Sequence, residues 1–370
     1  MTTLNPMTPD VQFALYSALK IVIAMAVLLS MVAYTVLAER RIAAWIQDRV
    51  GPNRVGPWGL LQPLADAVKA LLKENLVPAH VRKVSYWLAP MLVMIPSLLA
   101  LTIIPFGSTL GLQKMVIADL NVGVLFTFGV AAMTVYGLVL AGYAANSKYP
   151  FLGGLRSGAQ MISYEVAMAL SIVPVFMLVG NPEFSGWIAD RANAWHPLLA
   201  NTSPLNLNRV VAYQAGGFFH WMLFQQPLAF ILFLVAAFAE TNRLPFDLPE
   251  AEQELAGGYN TEYSSIKFAL FFMGEYANMI VASGLIVTLF LGGWTLPWFG
   301  LNHPAATFAV GLVHIAVFLI KVVAVVVLFI WVRWMWPRFR YDQLMDLAWQ
   351  RFVPLALVNI MITAVVLWAQ

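Results

Sequence analysis

Eight apolar runs, each about long enough in helix to cross a bilayer, constrain this chain more than any other feature. A hydrocarbon core of about 30 Å takes roughly 20 apolar residues in helix. The runs fall at 12–38, 86–105, 122–145, 159–180, 221–240, 267–292, 306–334 and 352–369. Many are apolar all round, as lipid-facing or bundle-buried helices are, and an open sheet would strand backbone polar groups in lipid. The predicted fold class is therefore all-α, a polytopic membrane protein of about eight transmembrane helices. Composition agrees, since 61% of the residues are hydrophobic and only 11% charged, against about a quarter charged in a soluble domain. No low-complexity linker and no inverted repeat interrupts the series, so residues 1–370 read as a single transmembrane domain. The first run follows the acidic Asp10 and is long enough to span, which predicts a permanent helix rather than a cleaved leader.

The connecting loops carry an uneven charge. Arg40, Arg41, Arg49, Arg54, Lys69, Lys73, Arg82 and Lys83 fall in the first, Lys148 and Arg156 in the third. Arg243 is in the fifth, and Arg338, Arg340 and Arg351 in the seventh with Arg333 at its edge. The even loops hold only Lys114, Arg191 and Arg209. The positive-inside rule then predicts odd loops in the cytoplasm and both termini outward. An extra or missing helix would scramble this alternation. With no cysteine, the chain has no disulfide or thiolate-held cluster, and its 5 histidines show no close helical pair. No metal or prosthetic group of its own is expected. The segment 181–220 is the longest outward loop and reads as irregular; its Asn201-Thr202-Ser203 triplet is too common a pattern to carry meaning.

Loop one is more than a connector. It opens Glu39-Arg40-Arg41, passes through Gly51-Pro52-Asn53-Arg54-Val55-Gly56-Pro57, and continues with Leu60, Leu61, Leu64, Val68, Leu71 and Leu72 at helical spacing. Asp66, Lys69 and Lys73 share the opposite face, which predicts an amphipathic helix lying at the interface. Taken alone, such a helix reads first as an interfacial strut with solvated charges and only second as part of a site. Loop five carries six carboxylates, Glu240, Asp247, Glu250, Glu252, Glu254 and Glu262, against the lone Arg243. Pro245 and Pro249 forbid a continuous helix there. A charge run is usually solvated surface, but crowded carboxylates in a partly dry site repel and bind protons near neutrality. Within the spans, Glu165 and Glu275 lie about two turns from the cytoplasmic end and Lys321 near the middle of the seventh. Intramembrane charges mark ion or proton paths; a buried Lys321–glutamate pair holding helices in register is the structural alternative.

The same segments carry a family resemblance. The stretches that begin at Ala38-Glu39-Arg40-Arg41, at Leu155-Arg156-Ser157, at Ala239-Glu240-Thr241-Asn242-Arg243 and at Pro337-Arg338-Phe339 resemble the quinone-site membrane subunit of proton-translocating NADH:quinone oxidoreductase, respiratory complex I. The bacterial members of that family are the H-type subunits, and the mitochondrial counterpart is the first NADH dehydrogenase membrane subunit. The resemblance implies a chain at the heel of a membrane arm, forming the membrane side of a quinone chamber. On it, Arg40, Arg49, Asp66 and Lys69 are expected on the quinone side. Glu165, Glu240, Asp247, Glu250, Glu252, Glu254, Glu262, Glu275 and Lys321 are expected in proton coupling, with Arg243 as counter-charge. The resemblance further implies quinone (ubiquinone or menaquinone) as substrate, with FMN and iron–sulfur clusters on partner subunits and no redox centre or catalytic residue in this chain. Implied partners are peripheral-arm iron–sulfur and quinone-site subunits on the cytoplasmic face, small membrane-arm subunits leading to antiporter-like ones, and lipid, with no nucleic acid. A bacterial inner membrane is the expected location. Two rivals remain at this stage: the homologous subunit of an energy-converting hydrogenase-type complex, and a stand-alone proton-coupled secondary transporter.

Overall fold

The structure, a computed structural model, describes residues 9–111, 113–190, 194–199, 202–249 and 252–369. Helix α1 is Pro9–Ile46, α2 Gln62–Leu72 and α3 Lys83–Leu101; a two-residue hairpin, β1 Thr109–Leu110 with β2 Gln113–Lys114, follows. Then come α4 Gly123–Ala144, α5 Lys148–Val179, and three short helices, α6 Pro182–Ala189, α7 His196–Leu199 and α8 Leu207–Tyr213. The remainder is α9 Met222–Gln225, α10 Pro227–Glu240, α11 Glu252–Leu255, α12 Ser265–Phe290, α13 Phe308–Met335, α14 Tyr341–Asp346 and α15 Val353–Ala369. A π turn at Leu347–Phe352 joins the last two into one rod. Among the described residues, 7 helical rods are long and apolar enough to cross a membrane, and α10 is a shorter apolar helix. The chain is therefore an all-α polytopic membrane protein, as its hydropathy predicts.

Loop contacts confirm the alternation that the charges imply. Loops one and three meet where the Arg82 amide donates to the Ala144 carbonyl. Loops five and seven meet where the Phe339 amide donates to the Pro245 carbonyl. At the other end, the Asn206 side chain bonds Asp119 (2.7 Å), joining loops two and four, and the Gly292 amide reaches Gln214 (2.9 Å), joining four and six. Odd loops thus share one end of the bundle and even loops the other, which requires an odd number of crossings between consecutive loops and makes α9–α10 the eighth span. That span is interrupted. Gln226 leaves helical geometry before Pro227, and its buried side-chain amide is met from the last helix, by Asn359 donating to Gln226 Oε1 and Gln226 donating to Thr363 Oγ1, both at 3.1 Å. A polar side chain buried in such a bundle is tolerated when other polar groups satisfy it in this way.

Two helices hold the centre. α5 packs on α4, α10 and α15, while α12 packs on α1, α3 and α13. Close approach of α4 to α5 depends on Gly142, where a Cβ would stand 2.4 Å from the Pro150 carbonyl oxygen. Both spans exceed their apolar runs. α5 starts at Lys148 rather than near 159, so Glu165 lies mid-helix, further from the odd-loop end than the two turns expected; α1 continues to Ile46, past the first charges.

Candidate functional site

Because α1 does not stop at its first charge, Glu39 is carried into the bundle, where it is 6% exposed. Its Oε1 is paired with the Arg333 guanidinium of α13. Its Oε2 accepts from the Tyr276 hydroxyl at 2.7 Å and from Arg243 at 3.4 Å. Arg243 in turn lies 2.9 Å from Glu275 and stacks on the Tyr276 ring at 4.1 Å. Arg338 pairs with Asp247 at 2.9 Å, beside the same cluster. Three carboxylates therefore face three guanidiniums, so the network is formally neutral when every group is ionised. Burial works against the Arg243 cation, but Glu275 and Glu39 more than reverse it and hold its pKa above the ordinary arginine value. Burial raises the Asp247 carboxyl, although Arg338 and Arg333 pull it down. Such networks tolerate no missing partner, since breaking a buried pair leaves an uncompensated charge.

Loop five is not a solvated acidic run. Its first half is packed into the bundle: Thr241, Arg243, Phe246, Asp247 and Leu248 are all buried, and Gln160 of α5 donates to both the Ala239 and Phe246 carbonyls at 2.7 Å. The six carboxylates consequently part company. Glu240 faces a cavity of about 30 Å³ whose wall includes Thr127, Thr241 and Asn278, and it is electrostatically coupled to Glu165 of α5. The rest of the wall is apolar, including Phe128, Met168, Phe233 and Leu285. No ion pair to Glu165 or Glu240 occurs among the described residues. Glu254 is at the surface, paired with Arg156 at 2.7 Å, and Glu262 lies 3.6 Å from His80. Glu250 lies outside the described residues, and Glu252 begins α11.

Lys321 stands apart from all of these. Its ammonium donates to the carbonyls of Leu291 (2.7 Å), Gly293 (3.0 Å) and Thr295 (2.7 Å) at the even-loop end of α12, with the Trp221 ring at 4.5 Å. The Lys321–glutamate pair weighed from the sequence does not occur among the described residues; carbonyls left open where α12 ends take its place.

On the odd-loop face, Arg40 turns away from Glu39 and pairs with Asp66 of α2 at 2.8 Å, and Gln62 donates to the other Asp66 oxygen at 2.9 Å. α2 is the amphipathic helix expected, with Leu64 63% and Leu71 65% exposed. Arg49 and Arg54 line an open cleft with Gly51, Asn53 and Gln62, while Lys69 is exposed one turn beyond Asp66. Gly59 closes the turn before α2 at positive φ, and a Cβ there would meet the Pro52 carbonyl oxygen at 2.3 Å. The structure thus brings Arg40, Asp66 and the Arg49 cleft together through Gln62. It separates Glu254 and Glu262 from the buried acids. Sequence reasoning missed Glu39, Tyr276, Arg333 and Arg338 as site residues, although each adjoins a residue or loop it had singled out.

The family model for NADH dehydrogenase matches residues 19–364. The chain is 45% identical over 368 residues to an NADH-quinone oxidoreductase H-type subunit of Koribacter versatilis, covering 95% of this chain and 97% of the relative. It is 47% identical over 352 residues to the corresponding NADH-quinone oxidoreductase subunit of Geobacter metallireducens (94% and 95% covered). It is 44% identical over 379 residues to that of Bdellovibrio bacteriovorus (95% and 96%).

Proposed function

Since the chain belongs to the NADH dehydrogenase family, we propose that it is the H-type membrane subunit of a proton-pumping NADH:quinone oxidoreductase. In this reading it forms the membrane side of the quinone chamber and the first part of the path that couples quinone reduction to proton movement. One observation supports it most directly. Two consecutive residues of one rigid helix serve two different sites: Arg40 holds Asp66 at the cleft, and Glu39 holds Arg243, Arg333 and Tyr276 inside the bundle. A change of charge at the cleft is then felt one peptide away by a balanced buried network.

The chemistry follows from the charges. Two-electron reduction of a quinone makes an anion that needs protons or positive charge nearby. Arg49 supplies a cation in the cleft, with Arg40 beside it across Gln62 and Lys69 exposed on the same helix as Gln62, and Asp66 sets the position of Arg40. An anion competing with Asp66 for Arg40 perturbs α1 and with it the Glu39 network, where Arg243, Asp247 and Glu275 rearrange. Glu240 and Glu165, which act on each other electrostatically and have no ion pair among the described residues, are the proton-binding element beyond, and Glu250, Glu252, Glu254 and Glu262 extend the acidic path towards the surface. Lys321, held by three carbonyls at the even-loop end of α12, belongs to the same coupling set at the end remote from the acids. The chain forms a single transmembrane domain of a bacterial inner membrane, with odd loops and partner subunits carrying FMN and iron–sulfur clusters on the cytoplasmic side, and antiporter-like subunits reached laterally.

The test is NADH:quinone reductase activity in membranes carrying Arg40→Ala, with assembly checked on a native gel. Losing a charge-assisted contact of about 1.5–3 kcal/mol should lower quinone reduction roughly tenfold or more, while NADH oxidation with an artificial acceptor persists. Unchanged quinone reduction would move the quinone away from loop one.

A further inference from the structure

A lateral cavity lies at the even-loop end of the bundle, between α1, α12 and α13, remote from the ionic network. Its volume is about 380 Å³, within the roughly 300–1,000 Å³ range of ligand sites. Ala24 of α1 and Gly284 of α12 leave the space, and Leu319 and Val322 of α13 form the opposite wall. The back is sealed by Leu28 and Ile104, each 2% exposed, whereas the rim residues Ile23 and Leu312 are 54% and 49% exposed. The cavity therefore opens sideways, towards the hydrocarbon. Among its lining residues a single one is charged, Lys20, at the edge. The Lys20 ammonium has one partner among the described residues, Gln113 of the β hairpin at a long 3.4 Å, so donors remain for a further ligand.

Protein interiors rarely leave voids larger than a water molecule, and a cavity walled by aliphatic carbon offers water no hydrogen bonds. Its occupant must be apolar and flexible and must come from the bilayer. A helix about 10 Å across would cover the mouth without filling the space. We propose that this cavity binds an acyl chain of an anionic phospholipid whose phosphate pairs with Lys20. The lipid belongs to the leaflet opposite the acid cluster, and it completes the packing of α1 against α12 and α13, a seam that α1 shares with the Glu39 site. The proposal does not depend on the redox assignment.

The experiment uses the intact assembly in vesicles containing phosphatidylglycerol with a photoactivatable group on one acyl chain, and separately the phosphatidylcholine analogue; labelled peptides are then mapped. Label is expected on the 20–31 and 312–322 segments, with phosphatidylglycerol favoured roughly fivefold, the effect of one lysine on an anionic headgroup. Lys20→Met should erase that preference, and Ala24→Phe, which fills the space, should remove the label. Should Ala24→Phe not assemble, the wild-type and Lys20→Met preferences decide. Equal labelling by both lipids in the wild type overturns the proposal, as does label that survives Ala24→Phe. Displacement of the label by a long-chain quinone but not by unlabelled phosphatidylglycerol would make this a quinone-tail site instead, and equally overturns it.

Discussion

Glu39 and Arg40 show how much one residue's surroundings can differ from its neighbour's. Both look alike in sequence, charges closing an apolar run, and a hydropathy window ends the span there. The helix instead continues to Ile46, because backbone hydrogen bonds do not stop at a charge that has partners. Glu39 was therefore legible as a residue but not as a buried one: its partners Arg243, Tyr276 and Arg333 are over 200 positions away. Glu39→Gln should destabilise the assembled protein by about 3–5 kcal/mol, the usual result of removing one member of a buried ion pair, with a matching drop in thermal inactivation temperature. Tyr276→Phe removes one bond to a charged acceptor and should cost about 1.5–3 kcal/mol by the same assay. A Glu39→Gln protein as stable as wild type would mean that the network does not hold α1 to α12 and α13.

At the scale of elements, the sequence located the spans well and their ends poorly. The eight runs depend on hydropathy alone, which lipid imposes directly. The ends depend on pairing that hydropathy cannot see, as where Lys148 and Arg156 sit inside α5 and Arg156 meets Glu254. Loop five failed as a single acidic patch for the same reason: Gln160 pins its first half inside the bundle while Glu254 remains outside. α2, by contrast, was plain from its spacing, because a surface helix needs no distant partner to define its faces. Asp66→Asn should impair quinone kinetics while leaving NADH oxidation by artificial acceptors intact; unaltered quinone KM and kcat would remove α2 from the chamber. The even-loop cap offers a pH test. Burial pushes the Asp119 carboxyl up, but Lys114 at 2.7 Å together with Asn206 and Asn208 outweighs it and holds its pKa below the ordinary value. Its charge therefore adds stability above the unfolded carboxylate pKa, and that contribution is lost as the pH falls through the depressed folded value. Hydrogen-exchange protection factors in residues 202–213 should fall with acidification in that range, and Asp119→Asn should flatten the response.

For the whole molecule, the two acid groups define what must be tested together. Glu275 belongs to the balanced network near the odd-loop end, and Glu240 to the small cavity, within electrostatic reach of Glu165. If they are successive parts of one path, Glu240→Gln and Glu275→Gln should each slow quinone reduction and proton pumping in proportion, by roughly tenfold or more if each supplies a proton-transfer step, without loss of assembly. Quinone reduction at the wild-type rate with pumping abolished would instead place the substituted acid downstream of the coupling step. The sequence put Lys321 near the middle of its span, but its three carbonyl partners could be read only from the structure.

The broken fifth span also bears on how the chain is made. Gln226 interrupts the helix in the interior, and the groups that satisfy it, Asn359 and Thr363, are synthesised more than 130 residues later. Until they emerge, the Gln226 amide lacks both of these partners, so the fifth span carries a polar side chain that only the last helix answers.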